Sequence, residues 1–171
     1  MMYDYSCTLK QISNIPLDVH LMVEDVEGNI DRYAPLNPYI ITFHYEACKD
    51  DEEIEYLINY IKEAEIKPAI SINPDTSVDK IKKFIPLVNM VLIMTVVPGK
   101  GGQKLIPECL VKAKEIKEYI DENNLDTFVE VDGGVNKETI EDVKKTNIDI
   151  AVAGSAIINA EDFKTAIDEL K

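Results

Sequence analysis

Six short runs in this chain are apolar at nearly every position: LDVHLMV (17–23), YIITFHY (39–45), KPAISIN (67–73), MVLIMTV (90–96), TFVEVDG (127–133) and IAVAGS (150–155). A strand with one solvated face alternates apolar and polar residues. These runs are rich in Val and Ile throughout, the pattern of strands buried on both faces of a parallel sheet. The segments between them change period. In DDEEIEYLINYIKEA (50–64), Ile54, Leu57, Ile58 and Ile61 recur at three- and four-residue steps behind an acidic first turn, which predicts an amphipathic helix. PECLVKAKEIKEYIDENN (107–124) predicts a second, with Pro107 at its first position and Leu110, Ala113, Ile116 and Ile120 on one stripe. NKETIEDVKKTN (136–147), opened by an Asn cap, and AEDFKTAIDELK (160–171) predict two more. Strand and helix alternate along the whole chain. The fold class is therefore α/β with right-handed crossovers, as an open doubly wound sheet or a barrel. No Gly/Ser-rich linker interrupts the pattern, so residues 1–171 read as a single domain.

The runs begin about 27 residues apart on average, and eight such units would need roughly 213 residues, near the lower end of (β/α)8 barrels. The chain has 171. The spacing thus predicts about six units, with the shortfall ahead of Leu17. The runs at 17–23 and 150–155 would then be unpaired edges, which a homo-oligomer would cover. Hydrophobic residues at 46% and charged residues at 29% exclude disorder. No apolar run approaches the roughly 18 residues of a membrane span, and MMYDYSCTLK lacks the basic start and apolar centre of a signal peptide. Cys7, Cys48 and Cys109 show no CxxC spacing and predict reduced thiols in a cytoplasmic protein. Eighteen basic residues, of which only Arg32 is an arginine, face 32 acidic ones for a net charge of −14. That balance argues against nucleic acid and against an anionic membrane surface as partners. An anionic substrate would be held by backbone N–H groups rather than by a cationic cleft.

Six of the seven glycines fall in PGKGGQ (98–103), DGG (132–134) and AGS (153–155), each directly after a predicted strand. In a parallel α/β fold those are the carboxyl ends, where sites are built. Glycine there either punctuates a turn or lets a backbone approach a ligand; two successive strands ending this way favour a phosphate cradle. No GxGxxG or GxxxxGK[ST] motif is present, which argues against dinucleotide and ATP sites. Asp132 ends its strand before two glycines, with Glu130 two residues earlier on the same face. Such carboxylates require pairing, a metal or a catalytic role. His20, with Asp18 on its face, reads either as a core histidine or as a ligand. His44 and Glu46 repeat that pattern. Met22 and Met94, near strand ends, fill either core or the surroundings of a ligand.

LDVHLMVED (17–25), IITFHYEA (40–47), MTVVPGKGGQKLIPE (94–108), VEVDGGVN (129–136) and VAGSAI (152–157) together resemble the ribulose-phosphate 3-epimerase family, in collinear order from about Leu9 onward. The resemblance implies a phosphate-binding (β/α)8 (TIM) barrel, here truncated at its N-terminus. The implied reaction interconverts D-ribulose 5-phosphate and D-xylulose 5-phosphate in carbohydrate metabolism, the pentose phosphate pathway. Close relatives act on allulose 6-phosphate. In that family two aspartates on opposite faces of the sugar invert C3 through an enediolate, which a divalent metal stabilises. Zinc or iron is the usual metal, with manganese, cobalt or magnesium as alternatives. By resemblance Asp132 is a catalytic acid and metal ligand, and His20 a metal ligand that also lies at the substrate. Met22 and Met94 flank the reacting carbons. Gly99, Lys100, Gly101, Gly102, Gly133, Gly134, Gly154 and Ser155 hold the phosphate.

The family's first strand carries a substrate-binding serine, and its second a His-x-Asp-x-Met-Asp-Gly motif with the other catalytic aspartate and two further metal ligands. Nothing before Leu17 matches either strand, and YSCTLKQISNIP is similar to the end of the family's second helix. The resemblance therefore implies two of four metal ligands and one of two acids, and weakened metal binding. Val97 and Lys100 stand where the family usually has Asn and an aromatic residue; Lys100 would contact phosphate or solvent. A non-catalytic sugar-phosphate binder or an assembly protein derived from the epimerase is the alternative.

Overall fold

The computed structural model describes residues 2–99 and 101–171. Helix α1 (Met2–Ile12) precedes strand β1 (Asp18–Leu21), α2 (Val26–Tyr33), β2 (Ile40–His44), α3 (Asp51–Glu63) and β3 (Lys67–Ile72). Then follow β4 (Met90–Met94), α4 (Pro107–Glu122), β5 (Phe128–Asp132), α5 (Ile140–Lys144), β6 (Ile150–Val152), α6 (Gly154–Ile158) and α7 (Phe163–Asp168). All six predicted strands form, and they pair in parallel in sequence order from β1 to β6. Strands β1 and β6 are the edges of this sheet among the described residues.

Buried apolar faces hold the layers together. Val19, Leu21, Ile41, Phe43, Ile70, Ile72, Val91, Ile93, Val129 and Val131 face outward from the strands and pack with Ile54, Leu57, Ile58 and Ile61 of α3 and with Leu110, Ala113, Ile116 and Ile120 of α4. These are the stripes the helical period predicts. The inner face bears the alternate residues: an apolar cluster of Ile40, Ala69 and Met90, another of Leu92, Met94 and Val96, and a series of polar groups.

Two crossovers depart from strict alternation. Between β3 and β4 the chain makes short 3-10 turns at Val78–Lys80 and Ile85–Leu87 instead of an α-helix. Pro86 has no N–H to donate and its ring opposes a continuing helix, while Ile81, Phe84 and Ile85 remain fully buried against the sheet. The helix expected over 136–147 is confined to α5. Asn136 instead caps the turn before it, its Oδ1 accepting from the Glu138 N–H at 2.8 Å.

Candidate active site

The glycine-rich loops after β4, β5 and β6 converge on a cavity of about 750 Å³. Met22, Met94, Gly99, Gly101, Gly102, Asp132, Gly133, Gly134, Gly154 and Ser155 line it, so ten of the residues singled out from sequence share one wall. Lys100 lies outside the described residues. Val96, Pro98, Gln103, Val135 and Val152 complete the lining and had no sequence signal beyond adjacency to the glycines. Asp132 is the only ionisable residue among the described lining residues.

Not every glycine here has the same task. Gly134 adopts φ +67°, and a Cβ there would lie 2.4 Å from the Leu105 backbone nitrogen, so its bare backbone lets β5 close against the loop that follows β4. Gly154 has no heavy atom within 4 Å of an added Cβ, and its hydrogen faces open space beside the cavity. The turn reading of glycine therefore suits Gly134, and the ligand-approach reading suits Gly154.

Backbone ties fix Asp132. Its carbonyl accepts from the Thr95 N–H at 2.8 Å, and the fully buried Thr95 hydroxyl donates to the Gly133 carbonyl at 2.5 Å. The loop after β4 is closed by the Gln103 amide, which donates to the Val97 carbonyl at 2.6 Å. Beyond Gly134, the Thr139 hydroxyl donates to the Gly134 carbonyl at 2.9 Å.

His20 is not itself on the cavity wall. Its Nδ1 lies 3.6 Å from Asp132 Oδ2, and its Nε2 lies 2.8 Å from Nε2 of His44. The two rings are within 14° of parallel with centroids 4.9 Å apart, which places the facing nitrogens between them, edge to edge. His44 Nδ1 in turn lies 3.4 Å from Glu46 Oε2. Glu46 Oε1 accepts from the Asn73 N–H at 2.8 Å and from the Thr76 hydroxyl. Burial alone would raise the Glu46 carboxyl, but the hydrogen bonds from His44, Asn73 and Thr76 outweigh it and hold the pKa down at about 2. The sequence marks His44 and Glu46 as a repeat of the His20 pattern; their direct link to His20 depends on the pairing of β1 with β2, which no local signal carries.

Deeper on the same face, burial and the neighbouring carboxylates of Asp18 and Asp132 push Glu130 up to about 8. Asp18 is raised as well, mainly by burial. Among the described residues no three His, Cys, Asp or Glu side chains stand together as a metal-binding group. His20 and Asp132 supply two donors, one fewer than a catalytic zinc takes from protein, so the described residues do not by themselves fit such a centre. Nor is any described helix long and apolar enough to cross a membrane.

Comparison with known proteins follows this geometry. Residues 4–158 match the model of the "Ribulose-phosphate 3 epimerase family". The chain is 41% identical over 161 residues to the ribulose-phosphate 3-epimerase of Helicobacter pylori, covering 94% of this chain and 73% of that protein. It is 40% identical over 164 residues to the Bacillus subtilis ribulose-phosphate 3-epimerase, covering 95% and 74%. Among solved structures, a 3-hexulose-6-phosphate synthase superposes with a TM-score of 0.74 at 19% identity, over 99% of this chain and 78% of that one. A tryptophan synthase α-subunit from Pyrococcus furiosus superposes with a TM-score of 0.71 at 16% identity, over 98% and 71%. At those identities the structures bear on fold alone, and they agree with six parallel strands forming an arc of a TIM barrel. The five collinear motifs, the glycine-lined cavity around Asp132 and the two sequence matches converge: this chain belongs to the ribulose-phosphate 3-epimerase family.

Proposed function

We propose that this chain acts on a ketopentose 5-phosphate, D-ribulose 5-phosphate, and exchanges the proton at C3. The observation that carries this reading is that Asp132 is the single carboxylate among the described residues of a cavity walled by glycine loops, apolar side chains, Gln103 and Ser155. Gly99, Gly101, Gly102, Gly133, Gly134, Gly154 and Ser155 would take the phosphate on backbone N–H groups, which suits a chain of net charge −14 with no described lysine or arginine on the cavity wall. Met22 and Met94 would pack against the carbon skeleton. In the chemical step the C3–H proton passes to the Asp132 carboxylate. The C–H electron pair forms the C2–C3 double bond, and the carbonyl pair moves onto the C2 oxygen, giving an enediolate. Return of the proton from the same face restores ribulose 5-phosphate; inversion to xylulose 5-phosphate needs a second acid opposite Asp132. No step is assigned to a divalent metal, and assays with added Zn²⁺ or Fe²⁺ read any dependence on one.

Proton NMR in D2O tests the proposal. Loss of the C3–H signal of ribulose 5-phosphate supports it, and Asp132→Asn should slow that loss by about 10²-fold or more. Exchange unchanged in Asp132→Asn would refute the role of Asp132. A coupled assay for xylulose 5-phosphate on the same samples separates inversion from simple exchange. The lone acid on the cavity wall also favours a second reading, a non-catalytic sugar-phosphate binder; that reading predicts calorimetric binding of ribulose 5-phosphate with no exchange. Self-association that covers the β1 and β6 edges is part of the proposal, and a monomer by light scattering would remove it.

A further inference from the structure

Loop 73–77, directly after β3, runs between two opposite charges. On one side its donors converge on Glu46 Oε1: the Asn73 N–H at 2.8 Å and the Thr76 hydroxyl. On the other side its acceptors converge on Lys112, in the second turn of α4. The Lys112 Nζ donates to the Pro74 carbonyl at 2.5 Å and to the Thr76 carbonyl at 2.7 Å. Thr76 is buried and serves both charges at once, through its hydroxyl and its carbonyl. Its N–H closes the turn on the Asn73 carbonyl at 3.1 Å. The polar groups of the loop are thus lined up between an anion and a cation, and each charge stabilises the orientation that the other requires.

Lys112 is half-buried, and its ammonium meets two backbone carbonyls rather than a carboxylate. Lys82, Lys144 and Lys145, by contrast, pair with acids three residues away on their own surface. Beyond Glu46 the contacts continue into the site. Glu46 Oε2 lies 3.4 Å from His44 Nδ1, and the His44 ring stands against His20 beside Asp132.

We propose that Lys112 is a positioning residue of the site: by holding loop 73–77 from behind, it fixes the Glu46 carboxylate, and through it the His44 ring, in place beside His20. The catalytic consequence rests on the reading of the cavity as a sugar-phosphate site; the positioning itself does not. Lys112 is not among the residues that line the cavity, so its removal acts on the rate rather than on the affinity.

Lys112→Met keeps an unbranched side chain without the charge, and Lys112→Arg keeps charge and donors. Amide hydrogen exchange and ¹H–¹³C spectra of the histidine rings, all at one pH, read the positioning without any ligand. The chain has two histidines, so His44→Ala assigns the rings. In Lys112→Met the Asn73 amide should exchange roughly tenfold faster, the loss expected of one charge-assisted hydrogen bond, while amides inside β3 exchange as before. The His44 ring signals should move, and Lys112→Arg should restore both. C3 proton exchange of saturating ribulose 5-phosphate in D2O should slow by about tenfold or more, with KM within about twofold of the parent. Should Lys112→Met not fold, the milder Lys112→Gln, a shorter side chain with a neutral donor, is read in the same way.

Either an unchanged Asn73 amide or an unmoved His44 ring in the folded variant overturns the inference. An Asn73 amide that exchanges like an open peptide in the unsubstituted chain overturns it without any variant. A released loop with C3 exchange at the parent rate makes Lys112 merely structural and removes its role in the site. A released loop and a shifted His44, in a chain whose parent neither binds nor exchanges ribulose 5-phosphate, defeat the functional reading and leave the positioning intact.

Discussion

Replacing Gly134 and Gly154 separately with alanine distinguishes packing from ligand approach within one loop system. Gly134→Ala places a residue with a Cβ at φ +67°, for which the left-handed conformation alone costs about 1–2 kcal/mol. The new Cβ also lies 2.4 Å from Leu105 N and 2.8 Å from Leu105 Cα. Both are backbone atoms, so the loop itself must move, and overpacking of this kind adds about 1–3 kcal/mol. The sum, about 2–5 kcal/mol, corresponds in a domain of this size to a fall in Tm of roughly 4–20 °C. Gly154→Ala meets no heavy atom within 4 Å and should leave stability within about 0.5 kcal/mol of the parent. Its methyl would stand beside the cavity, between the backbone and a bound phosphate. Loss of one charge-assisted hydrogen bond there, about 1.5 kcal/mol, weakens ribulose 5-phosphate by roughly tenfold. Urea and thermal unfolding read the first effect, and calorimetric titration the second. If Gly134→Ala unfolds with the parent protein, the close-packing argument is wrong. If Gly154→Ala keeps its affinity, the phosphate does not lie on that backbone.

Two further substitutions test the support beneath Asp132. Glu130 sits near 8 in the folded protein and near 4.3 when unfolded, so the folded state keeps a proton that the unfolded state loses between those values. The contribution is therefore intact below about pH 4 and is lost as pH rises toward 8, by at most about 1.4 kcal/mol per pH unit. Glu130→Gln, neutral throughout, should flatten the fall in stability between pH 5 and 8, and an unchanged slope in urea unfolding would refute the assignment. Thr95→Val removes the donor to the Gly133 carbonyl from a fully buried position and should destabilise by about 1–3 kcal/mol. A change below about 0.3 kcal/mol in urea unfolding would show that the tie between the ends of β4 and β5 is not needed.

What could be read from the sequence was what each segment states by itself. A strand buried on both faces is apolar at nearly every position, so all six strands were legible within three residues of their ends. A carboxylate closing such a strand before two glycines is equally local, and Asp132 and the loop glycines were legible for that reason. The 74–89 crossover was not: Ile81, Phe84 and Ile85 keep the apolar content of a helix face while Pro86 denies the helix. The role of Gly134 was also hidden, because the atom that excludes a side chain belongs to Leu105, across the loop.

The His20–Asp132 contact, which the family resemblance implied by giving both residues to one metal, has no local signal on either strand; inter-strand register supplies its physical reason and explains why six strands suffice to assemble it. Strand register runs from His20 to Thr42, from Thr42 to Ala69, from Ala69 to Met90 and from Met90 to Phe128. The residue level with His20 on β5 is therefore Phe128, yet His20 touches Asp132, four residues further along. Four steps between strands with a stagger of four residues is one residue per strand. Eight strands at that rate give the shear of 8 that defines the TIM barrel. In a flat sheet, four steps of about 4.8 Å would hold β1 and β5 roughly 19 Å apart. A side-chain contact of 3.6 Å requires the sheet to curl and its strands to tilt together. Asp18 and Glu130, each two residues earlier on its strand, meet with the same offset. The paired acid and histidine are thus a product of barrel curvature, set by the inter-strand register rather than by any motif on β1 or β5.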